Sequence, residues 1–487
     1  MRTTRQTKSQ AQPSTAGITT GVLGGTWRAV VTGWGAVVPL DGSATLDWHI
    51  AADDRWHSPA SEPSVRQSRI EGTPVIETRL RIPRGDVVQR IYSVADGGGL
   101  TVVEVSNDSP LPIAVAFTGR SVLSARPPTE MPVQGIDLPD ERVVFPVGHH
   151  TTIAVALAHD GRSAGLLPAG LPPALQVARG WSAMCDRAGR YVVPDEFVLE
   201  SVVAIRCELA LRGPGSPADD PVGFLIGVGL LTRLGENVEP WLADVAAALE
   251  QAAKTSRRGG ADWSLLAAFD AADQVFAVLD DERAATDLEA MRARFARAAA
   301  DLCLPSFPPE GVRLVAWLEQ LLADSRGRLL PGGLPPAWLG AAVEAYHVPV
   351  GTRSKVSFAL RWHGARPAVL WEVAGQPVTL TAPLMAPQWT SAAQTGEALW
   401  PVPPGALPNT AAPDEPVDQL PADARPDSPV SDSPVSDSPV SDSPVSDSPV
   451  SDSPVSDSPA PDSAVQPNPV ESGPTARPVA DGDVSFS

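Results

Sequence analysis

The run PDEFVLESVVAIRCELALRGP, residues 194–214, sets the character of the middle of the chain. Its apolar residues recur at the spacing of one helix face, as Val198, Val202 and Leu209 illustrate. Asp195 stands at a natural N-cap position, and the closing Gly-Pro pair ends the pattern. The run therefore predicts an amphipathic α-helix.

Similar patterns follow as far as residue 345, with short connections between them. The further helices are predicted at residues 220–235, 238–254, 262–279, 282–302 and 309–324. Short connections favour antiparallel neighbours, so we expect helical hairpins packed side by side. Gly223 and Gly227 would let a neighbouring helix approach closely. The apolar run around them is too short for a membrane span, which needs ~20 residues, so no membrane partner is expected.

On the N-terminal side the hydrophobic pattern alternates instead. Residues 75–82 (VIETRLRI) place Ile76, Leu80 and Ile82 on one face. Further strands with turn sequences between them are predicted at residues 87–94, 100–105, 113–118 and 153–158. Many short strands without helical spacing predict an antiparallel β-sandwich. A proline-rich connector, residues 166–174, leads from it into the helices.

After the helices the sequence returns to β-type patterns. Residues 356–360 and 368–373 predict a hairpin around a turn at 363–365, and residues 378–381 add a third short strand. This β return is too small to hold a core alone, so it should pack against the rest of the body.

The end of the chain repeats the motif DSPVS every five residues, with an aspartate in register from Asp427 to Asp457. Regular prolines exclude helix and sheet, and one valine per repeat cannot offset the chain entropy lost on ordering. The tail is therefore predicted to be disordered and acidic.

Together these patterns predict an α+β multidomain chain. Its parts are a disordered N-terminus, an antiparallel β-sandwich, a helical-hairpin domain, a short C-terminal β return and a disordered tail. The predicted boundaries are residues 1–20, 21–178, 179–345, 346–400 and 401–487.

The chain has 487 residues and a formal net charge of −20. Residues 404–487 hold 15 acidic and 2 basic side chains, so the tail carries −13 and the rest only −7. No basic stripe exists to neutralise phosphates, which disfavours a nucleic-acid partner. Three cysteines without CxxC spacing, and an N-terminus without an apolar signal segment, indicate a cytoplasmic protein with reduced thiols.

Asp219 and Asp220 are the candidate catalytic residues, because adjacent carboxylates at a helix start can act as acid and base in glycosidases. The alternative is structural: one carboxylate caps the helix and both favour its positive end. Asp195 and Glu196 offer the same two interpretations.

Other motifs point to no chemistry. Residues 161–165 match GxSxG after a predicted strand, but the prolines that follow exclude the helix a nucleophile elbow needs, so a turn is predicted. His149, His150 and His363 lie between strands or in a turn without a second ligand cluster. There is no P-loop and no GxGxxG after a strand, so neither a metal nor a cofactor is expected.

This layout resembles the glycogen-debranching-type and related six-hairpin glycosidases, whose catalytic domain is an (α/α) toroid. Residues 73–94 and 100–117 are similar in style to the N-terminal domains of that family. Residues 356–371 (VSFALRWHGARPAVLW) are similar to the strands that close those proteins after the toroid. The resemblance extends over residues 21–400 in layout and includes no diagnostic catalytic motif.

A full toroid has about twelve helices and needs on the order of 200 residues. Residues 194–345 number 152, so the predicted domain is a partial toroid. The resemblance implies a carbohydrate-associated protein of the glycoside hydrolase type, acting on an α-glucan or related glycan if it is active. The alternative is a non-catalytic scaffold that binds a glycan or a protein partner.

Overall fold

A computed structural model of the chain describes residues 17–129, 134–139, 141–162, 165–259, 262–295 and 303–403. All of these residues belong to one compact unit. The repeat tail and residues 1–16 lie outside them, whereas residues 17–20, predicted as part of the disordered N-terminus, belong to the strand Gly17–Gly21.

The first part of the chain contains thirteen described strands. They are β1 (Gly17–Gly21), β2 (Arg28–Thr32), β3 (Val37–Pro39), β4 (Asp47–Ala51), β5 (Trp56–His57), β6 (Arg66–Arg69), β7 (Ile76–Ile82), β8 (Gly85–Val94), β9 (Leu100–Asn107), β10 (Ile113–Thr118), β11 (Leu123–Ser124), β12 (Arg142–Val147) and β13 (Thr152–Ala158).

Seven α-helices follow within the described residues, with one short strand among them. They are α1 (Ala174–Cys185), α2 (Glu196–Arg212), α3 (Pro221–Leu234), α4 (Leu242–Gly259), α5 (Trp263–Val278), α6 (Glu282–Ala293) and α7 (Val312–Leu322). The strand between α1 and α2 is β14 (Arg190–Val192). The strands of the last part are β15 (Val343–Pro349), β16 (Ser354–His363), β17 (Arg366–Gly375), β18 (Leu380–Ala382), β19 (Ala386–Ser391) and β20 (Thr395–Leu399). The predicted combination of helices and antiparallel sheets is confirmed at this level.

The N-terminal strands form three antiparallel sheets. Their orders are β1-β2-β3, β12-β10-β4-β5 and β11-β13-β9-β8-β7-β6. The four-stranded and six-stranded sheets share one hydrophobic core, to which Phe117 and Ile91 contribute from opposite sides. Ile76, Leu80 and Ile82 face this core, as the alternation predicted.

The other face of the six-stranded sheet is covered by α1. Tyr92 and Val94 of β8 pack with Ala174 and Ala178 in a second cluster. The sequence does not predict this helix, because the proline-rich connector pattern extends to Ala174 and no N-cap side chain marks the start. Helix α1 also spans residue 178, where the sequence suggested a domain boundary.

The helices and the C-terminal sheet share the largest core. That sheet has the order β14-β15-β16-β17-β20, while β18 and β19 form a separate pair. The predicted hairpin is present, with His363 opposite Arg366 across a two-residue turn. Trp362 packs against this core, and its indole N–H donates to the carbonyl of Ala341 at 2.7 Å.

The predicted helices occur with somewhat different ends. Of the helix predicted at residues 282–302, α6 covers residues 282–293, and residues 296–302 lie outside the described residues. None of the described helices has the length and apolar character to cross a membrane.

Candidate functional site

Asp220 begins α3 as its N-cap. Its Oδ1 accepts a hydrogen bond from the backbone N–H of Gly223 at 2.9 Å, and Pro221 occupies the first helical position. The same carboxylate receives two hydrogen bonds from the Arg313 guanidinium, at 2.6 Å and 2.7 Å. This side-chain pairing is the main reason that the pKa of Asp220 lies below its ordinary value. The structure therefore gives Asp220 a structural task and keeps it ionised.

Asp219 is exposed beside it. Its backbone N–H lies 3.4 Å from the hydroxyl of Ser216. Neither Asp219 nor Asp220 lines the cavities described below. The corresponding pair at α2 behaves in the same way, since Asp195 caps the helix through Val198 N–H and Glu196 is exposed.

The remaining sequence candidates do not converge on a site. Ser163, the centre of the GxSxG match, lies outside the described residues. The strand predicted before this motif is present as β13. Leu167, which follows the motif, donates its backbone N–H to the carbonyl of Ser124. His149 contacts the carbonyl of Ser109 at 2.8 Å through Nδ1. Among the described residues, no group of three His, Cys, Asp or Glu side chains is arranged to hold a metal ion.

Two adjoining cavities, of about 270 Å³ and 280 Å³, lie where the N-terminal sheets meet α1. We call them together the junction groove; they share Val22 and Ala95. One end is mostly apolar and is lined by Leu23, Ser93, Val94, Asp96, Pro172, Val177, Gly180, Trp181 and Met184. The other end is more polar and is lined by Gly25, Thr26, Trp27, Gly98, Gly99, His159 and Asp160.

The groove is assembled from four separate pieces of chain. The β1–β2 connection supplies Trp27, the β8–β9 turn supplies Asp96, the end of β13 supplies His159, and α1 supplies Trp181. Gly99 permits the close contact between two of these pieces. A Cβ at this position would lie 2.5 Å from Nδ1 of His159, and the φ of 99° also favours glycine.

His159 is stacked on Trp27 at the polar end. The ring centroids are 4.1 Å apart and the planes differ by 12°. Nε2 of His159 lies 2.9 Å from the hydroxyl of Thr101. Burial, reinforced by the nearby positive charge of Arg28, lowers the pKa of His159 to about 4, although Asp160 opposes this shift. The imidazole is therefore neutral near pH 7.

Asp160 and Arg162 form a charged, solvent-exposed rim beside the stacked rings. Oδ2 of Asp160 lies 2.7 Å from Nε of Arg162, and the guanidinium also donates to the carbonyl of Gly97. The backbone N–H of Arg162, followed by its side chain, holds the pKa of Asp160 below its ordinary value. The rim thus presents an ionised carboxylate as a hydrogen-bond acceptor at the mouth of the groove.

Sequence reasoning did not find this groove. None of the candidate catalytic residues, Asp219, Asp220, Asp195 and Glu196, lines it. A partial signal was the pair His159-Asp160, which directly follows a strand and precedes a glycine. The four pieces are far apart in the sequence, so their meeting could not be derived from local patterns.

Comparison of the chain with protein-family models and with curated proteins gives no match. The functional argument therefore depends on the groove itself.

Proposed function

We propose that this chain is a carbohydrate-associated protein that binds a glycan in the junction groove without cleaving it. The observation that carries the proposal is the combination of Trp27 and Trp181 with the carboxylates of Asp96 and Asp160 in one concave surface. Both tryptophans are largely buried, at 8% and 7% exposure, so they contribute the apolar floor of the groove, against which the apolar face of a sugar ring can pack, and the carboxylates accept hydrogen bonds from sugar hydroxyls. A site of this kind orients a ligand with few polar groups on a mainly apolar lining.

The architecture supports the same class of ligand. Two sheets around one core fit the proposed β-sandwich, and the helices packed with the returning C-terminal sheet fit a partial (α/α) toroid. We therefore propose that the fold is related to that of the glycogen-debranching-type glycosidases, and that the ligand is an α-glucan. A cytoplasmic location is part of this proposal, because glycogen-type glucans are intracellular stores.

Binding is favoured over hydrolysis because of the state of the titratable groups. A glycosidase acid must be protonated when it meets the leaving oxygen. Asp220 is held ionised by Arg313, and Asp160 is held ionised by Arg162. His159 is neutral and its Nε2 is engaged with Thr101. These contacts suit fixed hydrogen-bonding groups better than proton donors.

The binding test is titration calorimetry of the full chain with linear and branched α-glucan oligosaccharides. Asp160→Asn removes the rim charge, and the expected result is a loss of affinity of about tenfold, the size of one charged hydrogen bond. The matched control is Asp108→Asn, another exposed aspartate in a turn away from the groove, which should bind as the parent does. Equal affinities for both variants and the parent, or no binding of any glucan by the parent, would refute the proposal.

The hydrolase alternative is tested on the same oligosaccharides by measuring released reducing ends. Turnover that disappears in Asp219→Asn or Asp220→Asn would assign the chain to the glycoside hydrolases instead. We expect no turnover by the parent chain and unchanged binding by both variants, because neither aspartate lines the groove.

A further inference from the structure

Two of the three cysteines meet in the core. Cys185 is the last residue of α1 and Cys207 lies within α2. Their sulfur atoms are 3.5 Å apart, and both residues are almost completely buried, at 1% and 0% exposure. The third cysteine, Cys303, is exposed. A contact between two thiols on different helices is a feature that the binding function does not require.

We propose that Cys185 and Cys207 are a redox-active pair that closes to a disulfide when the protein meets a peroxide, joining the end of α1 to α2. The sulfur atoms already touch, so side-chain rotation and a movement of about 1.5 Å would bring them to the bonding distance of a disulfide. In a reducing compartment the dithiol is the resting form, and the disulfide is the transient form.

The surroundings make the two thiols unequal. A hydrogen bond from Cys207, helped by the positive charge of Arg206, lowers the pKa of Cys185, whereas the same hydrogen bond and burial raise that of Cys207. Arg206 is fixed, because its guanidinium donates to the carbonyls of Cys185 and Gly189. Cys185 is therefore the nucleophile, since the thiolate is the reactive form.

The reaction balances in two steps. Cys185 first gives its proton to water. Its thiolate attacks one oxygen of hydrogen peroxide, the O–O bond breaks and a sulfenic acid forms, while the departing hydroxide takes up a proton and leaves as water. The Cys207 sulfur then attacks the sulfenic sulfur, the S–O bond breaks, and a second water carries away the Cys207 proton. Peroxide is the oxidant that gains two electrons, and the two thiols lose them. Both sulfur atoms are almost completely buried, so the reaction requires peroxide, a molecule of only two heavy atoms, to enter the core beside α1.

The test uses the full chain with Cys303→Ser, so that the exposed thiol cannot cross-link two molecules. The protein is treated with hydrogen peroxide, then denatured and alkylated with iodoacetamide, and its intact mass is measured. We expect two alkyl groups before oxidation and none after it, with the mass lowered by two hydrogen atoms and restored by dithiothreitol. Two alkyl groups remaining after a treatment that already adds oxygen to a methionine would overturn the proposal.

A second measurement separates a cross-link from other oxidation. The disulfide restricts the unfolded chain, so the oxidised protein should melt a few degrees higher than the reduced one. Cys207→Ser cannot form the bond; after peroxide it should keep an oxygen on Cys185 and show no upward shift. The proposal would also be contradicted if peroxide raised the melting temperature of Cys207→Ser by the same amount. It would be contradicted too if the Cys303→Ser protein melted higher after oxidation without containing a disulfide.

Discussion

At the scale of single residues, Asp220 makes two contacts, the helix cap and the ion pair with Arg313, and only the first could be predicted from the sequence. The N-cap could be predicted from the Asp-Pro start of α3, and the capping hydrogen bond confirms it. Arg313 could not be predicted, because it reaches Asp220 from α7, which is distant in the sequence. The catalytic interpretation of Asp219 and Asp220 has the same origin, because the sequence alone does not distinguish a carboxylate that caps a helix from one that acts in catalysis.

These two contacts can be separated by substitution. Asn is a good N-cap without charge, so Asp220→Asn should lose only the ion pair with Arg313 and cost less than about 1 kcal/mol of unfolding free energy. Asp220→Ala also loses the cap and should cost about 1 kcal/mol more. Urea unfolding measures both, with Asp219→Ala as the neighbouring control that should change little. Equal losses for Asp220→Asn and Asp220→Ala would contradict the capping role.

His159 gives a prediction about pH. Its folded-state pKa of about 4 lies below the value of ~6.5 in an unfolded chain, so the unfolded state binds a proton first as pH falls. The stabilising contribution is fully present above about pH 6.5 and is lost as the pH falls toward about 4. Because the ring is partly solvent-exposed, water weakens this effect, and the expected loss of unfolding free energy is about 1–2 kcal/mol.

The measurement is the free energy of unfolding of the parent and of His159→Gln at about pH 7 and about pH 4.5. The parent should lose more stability than the variant across this interval. His363→Gln, at an exposed histidine that ends β16, is the control and should follow the parent. A parent and a His159→Gln variant with the same pH dependence would show that the stacked ring is not the titrating group.

At the scale of elements, the close approach of helices is decided by a glycine that the sequence did not single out. Gly223 faces the side chain of Asp220, and a Cβ added at Gly227 would lie 3.2 Å from Cβ of Pro214 and 3.3 Å from Cδ1 of Leu209. The tightest helix contact is at Gly229, where an added Cβ would lie 2.6 Å from the Cβ of Ala271 on α5. All three glycines look equivalent in a one-dimensional pattern, because the pattern does not say which face meets which neighbour.

Gly229→Ala should therefore destabilise the protein. Alanine favours a helix by about 1 kcal/mol over glycine, but the overlap with Ala271 should cost more than that gain, for a net loss of about 1–2 kcal/mol. Gly180→Ala on α1 is the matched control, since nothing lies within 4 Å of its added Cβ, and it should be neutral or stabilising. Thermal unfolding of both variants compares them directly. Stabilisation by both changes would mean that α3 and α5 are less tightly packed.

Four elements are tied together by a buried charged network. Glu319 of α7 accepts a hydrogen bond from Tyr191 of β14 at 2.7 Å and one from Arg233 of α3 at 2.9 Å. Arg206 of α2 lies 3.5 Å from the same carboxylate and donates to Tyr191. The burial of Arg206 depends on carbonyl acceptors at the end of α1, which no local sequence pattern reveals.

Glu319→Gln removes the anion that balances two buried guanidinium groups. The expected cost is about 3–5 kcal/mol, because a charge left without its partner in the core keeps its desolvation penalty. Glu250→Gln, at an exposed position of α4, should change stability by less than about 0.5 kcal/mol. The measurement is the urea midpoint of unfolding of each variant relative to the parent. Similar small decreases for both variants would mean that water reaches the network and screens its charges.

At the scale of the whole molecule, α1 and the C-terminal sheet join parts that the sequence presents separately. Helix α1 contributes to the core beneath the six-stranded sheet and, through Trp181 and Met184, to the core of the helices. The C-terminal sheet pairs β14, which precedes α2, with β15 near the end of the helices. The types of element could be predicted from local periodicity, whereas these joins depend on long-range pairing.

The C-terminal end of the folded body is held by β20 and by the tryptophan that follows it. β20 pairs with β17, and Trp400 just after it is 1% exposed, with its ring 5.3 Å from that of Trp389. Trp400→Ala should therefore cost about 3–5 kcal/mol, the usual penalty for removing a large buried aromatic. Trp34→Ala, at a partly exposed tryptophan, should cost clearly less.

The same reasoning sets the shortest chain that keeps its stability. A protein ending at residue 403 retains β20 and Trp400, and we expect it to unfold at the same temperature as the full chain, because the repeat tail has too few apolar residues to contribute a core. A protein ending at residue 394 lacks both and should be destabilised at least as much as Trp400→Ala. Calorimetric melting of the three proteins tests this. A lower melting temperature for the chain ending at 403 would assign the acidic repeats a stabilising role, and the folded body would then extend beyond the tryptophan cluster.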